Sequence, residues 1–265
     1  MNRTQALMNN LSAGGSSPGF AHYPSLKDEA VIVTGGASGI GASIVEHFAA
    51  QGARVGFLDV DEAAGRTLAA ATGASFIPCD LRDIDALRGT ITRLQREHGP
   101  ALALVNNAAR DDRHAVADVT PEYWDERMAT NLRHQFFAAQ AVAPAMRARR
   151  RGSIINMGSV SWMLSLGNMP AYVTAKSAVQ GLTRGLARDL GPDLIRVNSV
   201  VPGWIMTERQ VKLWLTPEGE ADIIRNQCLP EKLYPPDIAR MVLWLAADDS
   251  RMVTAQSFVV DGGWT

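Results

Sequence analysis

The sequence predicts a doubly wound parallel α/β sheet built as a single domain, and three observations predict it. Seven short runs rich in Val, Ile, Leu and Phe recur at 30–35, 54–59, 75–80, 101–107, 153–159, 195–203 and 257–263. These runs are continuously apolar instead of alternating, the pattern of strands covered on both faces. Helix-length stretches separate nearly all of them, so each strand returns to the sheet through a right-handed crossover and lies parallel to its neighbours. A length of 265 residues suits one large domain of this kind.

Residues 1–25 are rich in Gly, Ser and Asn and read as a flexible arm outside the fold, leaving 26–265 as the domain. The first strand, AVIVTG, runs into TGGASGIG at 34–41. Gly35, Gly39 and Gly41 let the backbone turn tightly and approach a pyrophosphate, while the helix behind them offers free N–H groups and a positive dipole end. The spacing is Gly-x3-Gly-x-Gly, not the general G-x-G-x-x-G. Its place between a buried strand and a helix marks it as a phosphate loop of Rossmann type.

The second strand ends at Asp59, 24 residues beyond Gly35. A carboxylate there accepts both ribose hydroxyls of an adenosine and repels a 2′-phosphate, which favours NAD over NADP as cofactor. Asp80 ends the third strand and either contacts the adenine or caps the next helix. Two long helices are expected at 120–149 and 170–190, the first exposing a second apolar stripe, FFAAQAVAPAM. The segment 204–234 breaks the strand–helix rhythm with Trp204, Trp214, Pro217 and Pro230 and reads as a substrate lid.

Composition excludes several classes. A formal net charge of −1 argues against a nucleic-acid partner. The basic run RARRR at 147–151 complements the negative end of the helix that precedes it. No run approaches the roughly 20 apolar residues a membrane helix needs, and the start lacks the apolar core of a secretory signal. Cys79 and Cys228 have no metal-type spacing and read as free thiols of a cytoplasmic protein. His114 with Asp111 and Asp112 lacks a second histidine at ligand spacing, so no metal is expected.

The stretch PAYVTAKSAVQG, 170–181, sets Tyr172 and Lys176 four residues apart, on one helix face and about 5–6 Å apart at Cβ. A free tyrosine has a pKa of about 10 and is a poor base at neutral pH. A neighbouring ammonium favours the phenolate, as does the positive ring of an oxidised nicotinamide. Tyr172 is then expected to take a proton from a substrate hydroxyl as hydride leaves the same carbon.

Taken in order, TGGASGIG, NNAA (106–109), Asn131, Ser159, Tyr172, Lys176, PGWIMT (202–207) and VDGGWT (260–265) resemble the short-chain dehydrogenase/reductase family. Ala109 stands where that family often has Gly. The resemblance runs from about residue 26 to the last residue. It implies that Ser159 holds the reacting oxygen, that Lys176 grips the nicotinamide ribose and that Asn131 positions a relay water. It also implies cofactor contacts at Gly35, Ser38, Gly39, Ile40, Gly41, Asp59, Asp80, Leu81, Asn107, Tyr172, Lys176, Ile205 and Thr207, and a homotetramer built on the two long helices and the last strand.

The mouth of the site is polar, with Arg110, Asp111, Asp112, Arg113 and His114 in a row, whereas a steroid or fatty-acyl pocket requires apolar walls. The stretch 109–146, with YPSLK (23–27), LTPEGEA (215–221) and QCL (227–229), resembles bacterial aldose 1-dehydrogenases acting on D-xylose, L-arabinose or L-fucose. That resemblance implies oxidation of a sugar at C1 to a lactone. Asp111, Ser159, Ser161, Asn168, Tyr172 and Trp204 are the expected substrate contacts, with Trp162 a second candidate for a sugar's apolar face. Two alternatives stand beside it. One is a dehydrogenase of another polar alcohol, such as a deoxy-keto sugar acid gripped by Arg110 or Arg113. The other is a dinucleotide sensor without turnover.

Overall fold

The computed structural model describes residues 20–265; residues 1–19 of the expected arm lie outside the described residues. Seven strands form one parallel sheet: β1 (Ala30–Thr34), β2 (Arg54–Asp59), β3 (Ser75–Pro78), β4 (Ala101–Asn106), β5 (Gly152–Met157), β6 (Ile195–Pro202) and β7 (Ser257–Val260). Their order across the sheet is β3-β2-β1-β4-β5-β6-β7, and every neighbouring pair is parallel. The doubly wound fold expected from the strand pattern is therefore the fold observed.

The helices are α1 (Gly39–Ala50), α2 (Glu62–Thr72), α3 (Ile84–His98), α4 (Pro121–Met128), α5 (His134–Arg149), α6 (Pro170–Leu190), α7 (Glu208–Leu213), α8 (Pro217–Asn226) and α9 (Pro235–Ala246). Successive strand residues point to opposite faces, and β1 shows why its run is continuously apolar. Val31 and Val33 join a core with Ile44, Val45 and Phe48 of α1 and Val242 and Leu243 of α9. Ile32 joins a second core on the other face with Leu87, Ile91 and Leu94 of α3 and Val142 and Met146 of α5. Each fully buried side chain of this size contributes about 1.5–3 kcal/mol.

The arm's last residues are tied to the domain. Tyr23 packs on the core, its N–H donates to Gln51 Oε1 at 2.7 Å, and Leu26 is fully buried. The helix expected at 120–149 is α4 and α5 joined by a π-helical turn, Ala129–Arg133. Much of its FFAAQAVAPAM stretch is core, because Ala138, Ala139, Val142, Ala143 and Met146 are buried. What remains outside is a shallow groove around the exposed Phe136, shared with Met128, Leu132, Phe137, Ala178 and Leu182. The arginines of RARRR are engaged within the chain: Arg147 with Asp193, Arg149 with Glu29, Arg150 with the Pro192 carbonyl, Arg151 with Glu29 and Asp248. No helix among the described residues is long and apolar enough to cross a membrane.

Strand order reverses between β1 and β4, and a crevice opens there at the strands' carboxyl ends. A cleft of about 1050 Å³ occupies that position.

Candidate active site

The dinucleotide end of the cleft is shaped by glycine. Gly35 has φ +64, and a Cβ added there would lie 2.6 Å from the Ala108 Cα. A Cβ at Gly41 would lie 1.9 Å from the Gly35 carbonyl oxygen, so the first turn of α1 sits directly on the loop. Asn107 Nδ2 donates to the Gly35 carbonyl at 2.8 Å and the Thr34 carbonyl at 3.2 Å, fastening the loop to the end of β4. Ser38 at the N-cap makes no side-chain cap bond, which leaves first-turn N–H groups facing the cleft beside Gly39 and Ile40. A pyrophosphate fits such a cradle.

Asp59 is aimed by the loop itself. Its two oxygens accept from Ala37 N at 3.0 Å and Asp61 N at 3.1 Å. Gly36 has no room for a side chain, since a Cβ there would meet Phe57 at 2.8 Å. The loop therefore cannot carry a cation at that position. Asp80 lines the cleft with Leu81, but it does not cap the following helix; Asp83 does, accepting from Asp85 N and Ala86 N. The Asp80 carboxylate instead holds Arg82 at 2.6 Å, an interaction that keeps it below the usual carboxylate range.

Ser159, Tyr172 and Lys176 line the same cleft, as do Ile205 and Thr207. Ser159 caps a short 3-10 turn, accepting from Ser161 N at 3.1 Å. Ser161 is buried, and its Oγ has no hydrogen-bond partner within the protein. Lys176 is buried; its Nζ donates to the Met157 carbonyl at 2.8 Å and lies 5.7 Å from the Tyr172 ring centre.

In the protein alone, burial dominates the proton affinities of both Tyr172 and Lys176. Burial pushes Tyr172 up to about 12 and the Asp111 carboxylate adds to the rise, while Ser159 and Arg113 oppose it. Burial likewise pushes Lys176 down to about 7, against the pull of Asp111. In both cases the low-polarity pocket penalises the charged form more than the neighbours repay.

The other end of the cleft is made of side-chain contacts between the loop 109–114 and α7. Gln210 Nε2 donates to Asp111 Oδ2 at 2.7 Å, and its Oε1 accepts from Trp204 Nε1 at 3.0 Å. Arg209 bridges Asp111 at 3.4 Å and Asp112 at 2.6 Å, and Asp112 also pairs with the buried Arg127 at 2.7 Å. Arg113 lies over the Trp214 ring, 4.9 Å from its centre. From above, α8 packs on Trp204 so closely that a Cβ at Gly219 would come within 2.8 Å of the indole.

Three expected residues do not line the cleft. Asn168 is exposed, and its backbone carbonyl accepts from His114 N at 2.7 Å. Asn131 is buried in the π-helical turn; its Oδ1 accepts from Arg110 N at 2.8 Å and its Nδ2 donates to the Arg127 carbonyl at 3.0 Å. Trp162 does not line the cleft, and its indole N–H is buried without a partner in the protein. Sequence reasoning missed Gln210, Glu126 and Trp264, all of which line it. It also missed His134, buried beside Lys176, whose Nε2 meets the Ala108 carbonyl at 3.1 Å and whose imidazole burial pushes down to about 3. The closing VDGGWT could have pointed to Trp264, which a turn around the Asp261 carboxylate carries back to the cleft. Nothing in local sequence marks Gln210.

Comparison with known proteins agrees with this construction. Residues 35–265 match a family model described as enoyl-(acyl carrier protein) reductase. D-xylose 1-dehydrogenase of Caulobacter vibrioides (strain NA1000 / CB15N) is 49% identical over 249 residues, covering 92% of this chain and 98% of its own. A probable galactose dehydrogenase of Rhizobium meliloti (strain 1021) is 48% identical, covering 92% and 97%. The ligand-free aldohexose dehydrogenase of Thermoplasma acidophilum superposes with a TM-score of 0.83 at 29% identity, over 91% of this chain and 96% of that one. A match that takes in the phosphate loop, the reactive residues and the C-terminal turn together places the chain in the short-chain dehydrogenase/reductase family.

Proposed function

We propose that this protein oxidises a neutral aldose at C1 with NAD, giving an aldonolactone. The observation that carries the reading is the polar Asp111–Gln210–Trp204 wall standing next to Ser159 and Tyr172 in one cleft. A carboxylate and a carboxamide can share vicinal hydroxyls, and an indole can cover a sugar's apolar face. Relatives named for D-xylose and galactose support the same choice.

When bound, an oxidised nicotinamide supplies the hydride acceptor and a positive charge beside the phenol. Tyr172 takes the proton of the C1 hydroxyl, and the Ser159 hydroxyl holds that oxygen while the C1–O bond becomes a carbonyl. Lys176, 5.7 Å from the Tyr172 ring centre, would in its protonated form grip the nicotinamide ribose and favour the phenolate. Asn131 acts on the site by holding the backbone of Arg110, hence the loop that carries Asp111. Asp59, together with the side-chain-free Gly36, supports NAD over NADP. Against a sugar-acid substrate, Arg113 is occupied by Met169 and Trp214 and Arg110 pairs with Asp112.

The segment 204–234 is the lid in this reading, latched to the loop 109–114 by Arg209 and Gln210. The groove around Phe136, between α5 and α6, supports assembly through the two long helices; light scattering reporting a tetramer checks it. The test of function is formation of reduced cofactor, with NAD and NADP separately, across aldopentoses, aldohexoses and a sugar-acid control. Turnover of one neutral aldose with NAD that Tyr172→Phe abolishes is the expected result. Failure of every neutral sugar, with a carboxylated or apolar alcohol accepted, would overturn the substrate.

A further inference from the structure

We propose that His114 positions Tyr172 by capping the helix that carries it, an inference that rests on reading Tyr172 as the acid–base group. The helix α6 starts at Pro170, which has no N–H, and Met169 before it provides no side-chain cap. The N–H of Ala171 is thus the first that needs a partner, and it donates to His114 Nε2 at 3.2 Å. Val173 N, one turn in, already bonds the Met169 carbonyl at 3.0 Å.

A backbone N–H can only donate, so Nε2 is the bare nitrogen and the ring proton sits on Nδ1. That N–H has its acceptors in place: the Asp112 carbonyl at 3.0 Å and the Tyr123 hydroxyl at 2.9 Å. The Tyr123 ring meets the imidazole edge-on, centres 5.0 Å apart. His114 N, at the same time, donates to the carbonyl of Asn168, which is held at φ +59. One residue therefore grips the chain on both sides of Pro170, immediately before Tyr172.

The charged groups packed around the ring are directed elsewhere. The Asp112 carboxylate pairs with Arg110, Arg127 and Arg209. Arg127 lies over the Tyr123 ring, 5.3 Å from its centre, and Arg113 engages Met169 and Trp214. The imidazole's own partners are all uncharged, which suits a neutral Nδ1–H ring serving as an acceptor.

The experiment compares His114→Leu with His114→Gln, whose Oε1 can still accept from Ala171, on the best substrate of the wild-type enzyme. Misplacing a catalytic group by about 1 Å can cost 10²-fold. His114→Leu is expected to lower kcat by about 10- to 100-fold, with cofactor affinity by fluorescence titration within about twofold. His114→Gln is expected to recover to within about fivefold of wild type. In the wild-type protein, nitrogen-15 NMR of the ring is expected to report the Nδ1–H tautomer, and this readout stands even where a variant fails to fold. Wild-type kcat in His114→Leu, no advantage of Gln over Leu, or an Nε2–H tautomer would each overturn the proposal. Retained activity in Tyr172→Phe would instead overturn the acid–base reading beneath it.

Discussion

At the dinucleotide end of the cleft the walls are backbone, at the other end they are side chains. Gly35 and Gly41 have space for no side chain, and Asn107 and Asp59 bind the loop through main-chain groups within one supersecondary unit and its neighbour. Asp111 and Asp112 meet Arg209 and Gln210 across nearly a hundred positions of sequence. A backbone cradle suits a ligand part common to many enzymes, the pyrophosphate. A side-chain network can be rewritten residue by residue without disturbing the sheet, as a substrate site requires.

The contrast predicts which measurement each substitution moves. Tyr172→Phe removes the proposed proton acceptor and is expected to lower kcat by about 10³-fold with dinucleotide affinity unchanged, checked by single-turnover rates beside a binding titration. Gly41→Ala forces a Cβ against the Gly35 carbonyl. It is expected to destabilise by about 1–3 kcal/mol and to weaken the dinucleotide at least about tenfold, leaving sugar KM at saturating cofactor unaltered. A change confined to sugar KM would contradict the division.

Asp111→Asn probes the other end. Sugar KM is expected to rise about tenfold, the size of one lost charge-assisted hydrogen bond, with dinucleotide affinity held. Asp111 raises the proton affinity of Tyr172, so its removal lowers it. The acid limb of the oxidation profile should therefore move to lower pH, read from kcat/KM across the range.

Lys176 gives a subtler effect. Burial holds it near 7 in the folded chain, below its unfolded value of about 10.4. Between those values the unfolded chain binds more protons, so this lysine makes stability rise with pH across that window. Urea midpoints at successive pH values should show a flatter rise in Lys176→Met. Arg209→Ala is expected to be the mildest change. Its side chain is 42% exposed, and such pairs contribute under about 1 kcal/mol. Sugar KM should shift less than about threefold, and least at high salt, where exposed pairs are screened.

Much of this protein is written locally. Strand β1 reads as buried because its alternate residues serve two cores, and the glycines after it are demanded by a turn a few residues long. Ser159, Tyr172 and Lys176 are legible because helix spacing and the strand before them set their mutual reach. Polarity near a site does not tell backbone use from side-chain use: the Asn168 side chain is exposed, and it is its carbonyl that bonds His114. Asp80 and Asp83 compete for one cap three residues apart, and only their final hydrogen bonds separate them.

Periodicity and turn sterics act over a few neighbouring residues, so composition and order already settle the sheet and the glycine turn after its first strand, and mark Ser159, Tyr172 and Lys176 as the candidate reactive trio. Folding alone brings Gln210 to Asp111, Trp264 to the cleft and His114 to the start of α6. The proton affinities of Tyr172 and Lys176 belong to that second group as well. Desolvation depends on everything packed around a charge, and no spacing along the chain records it.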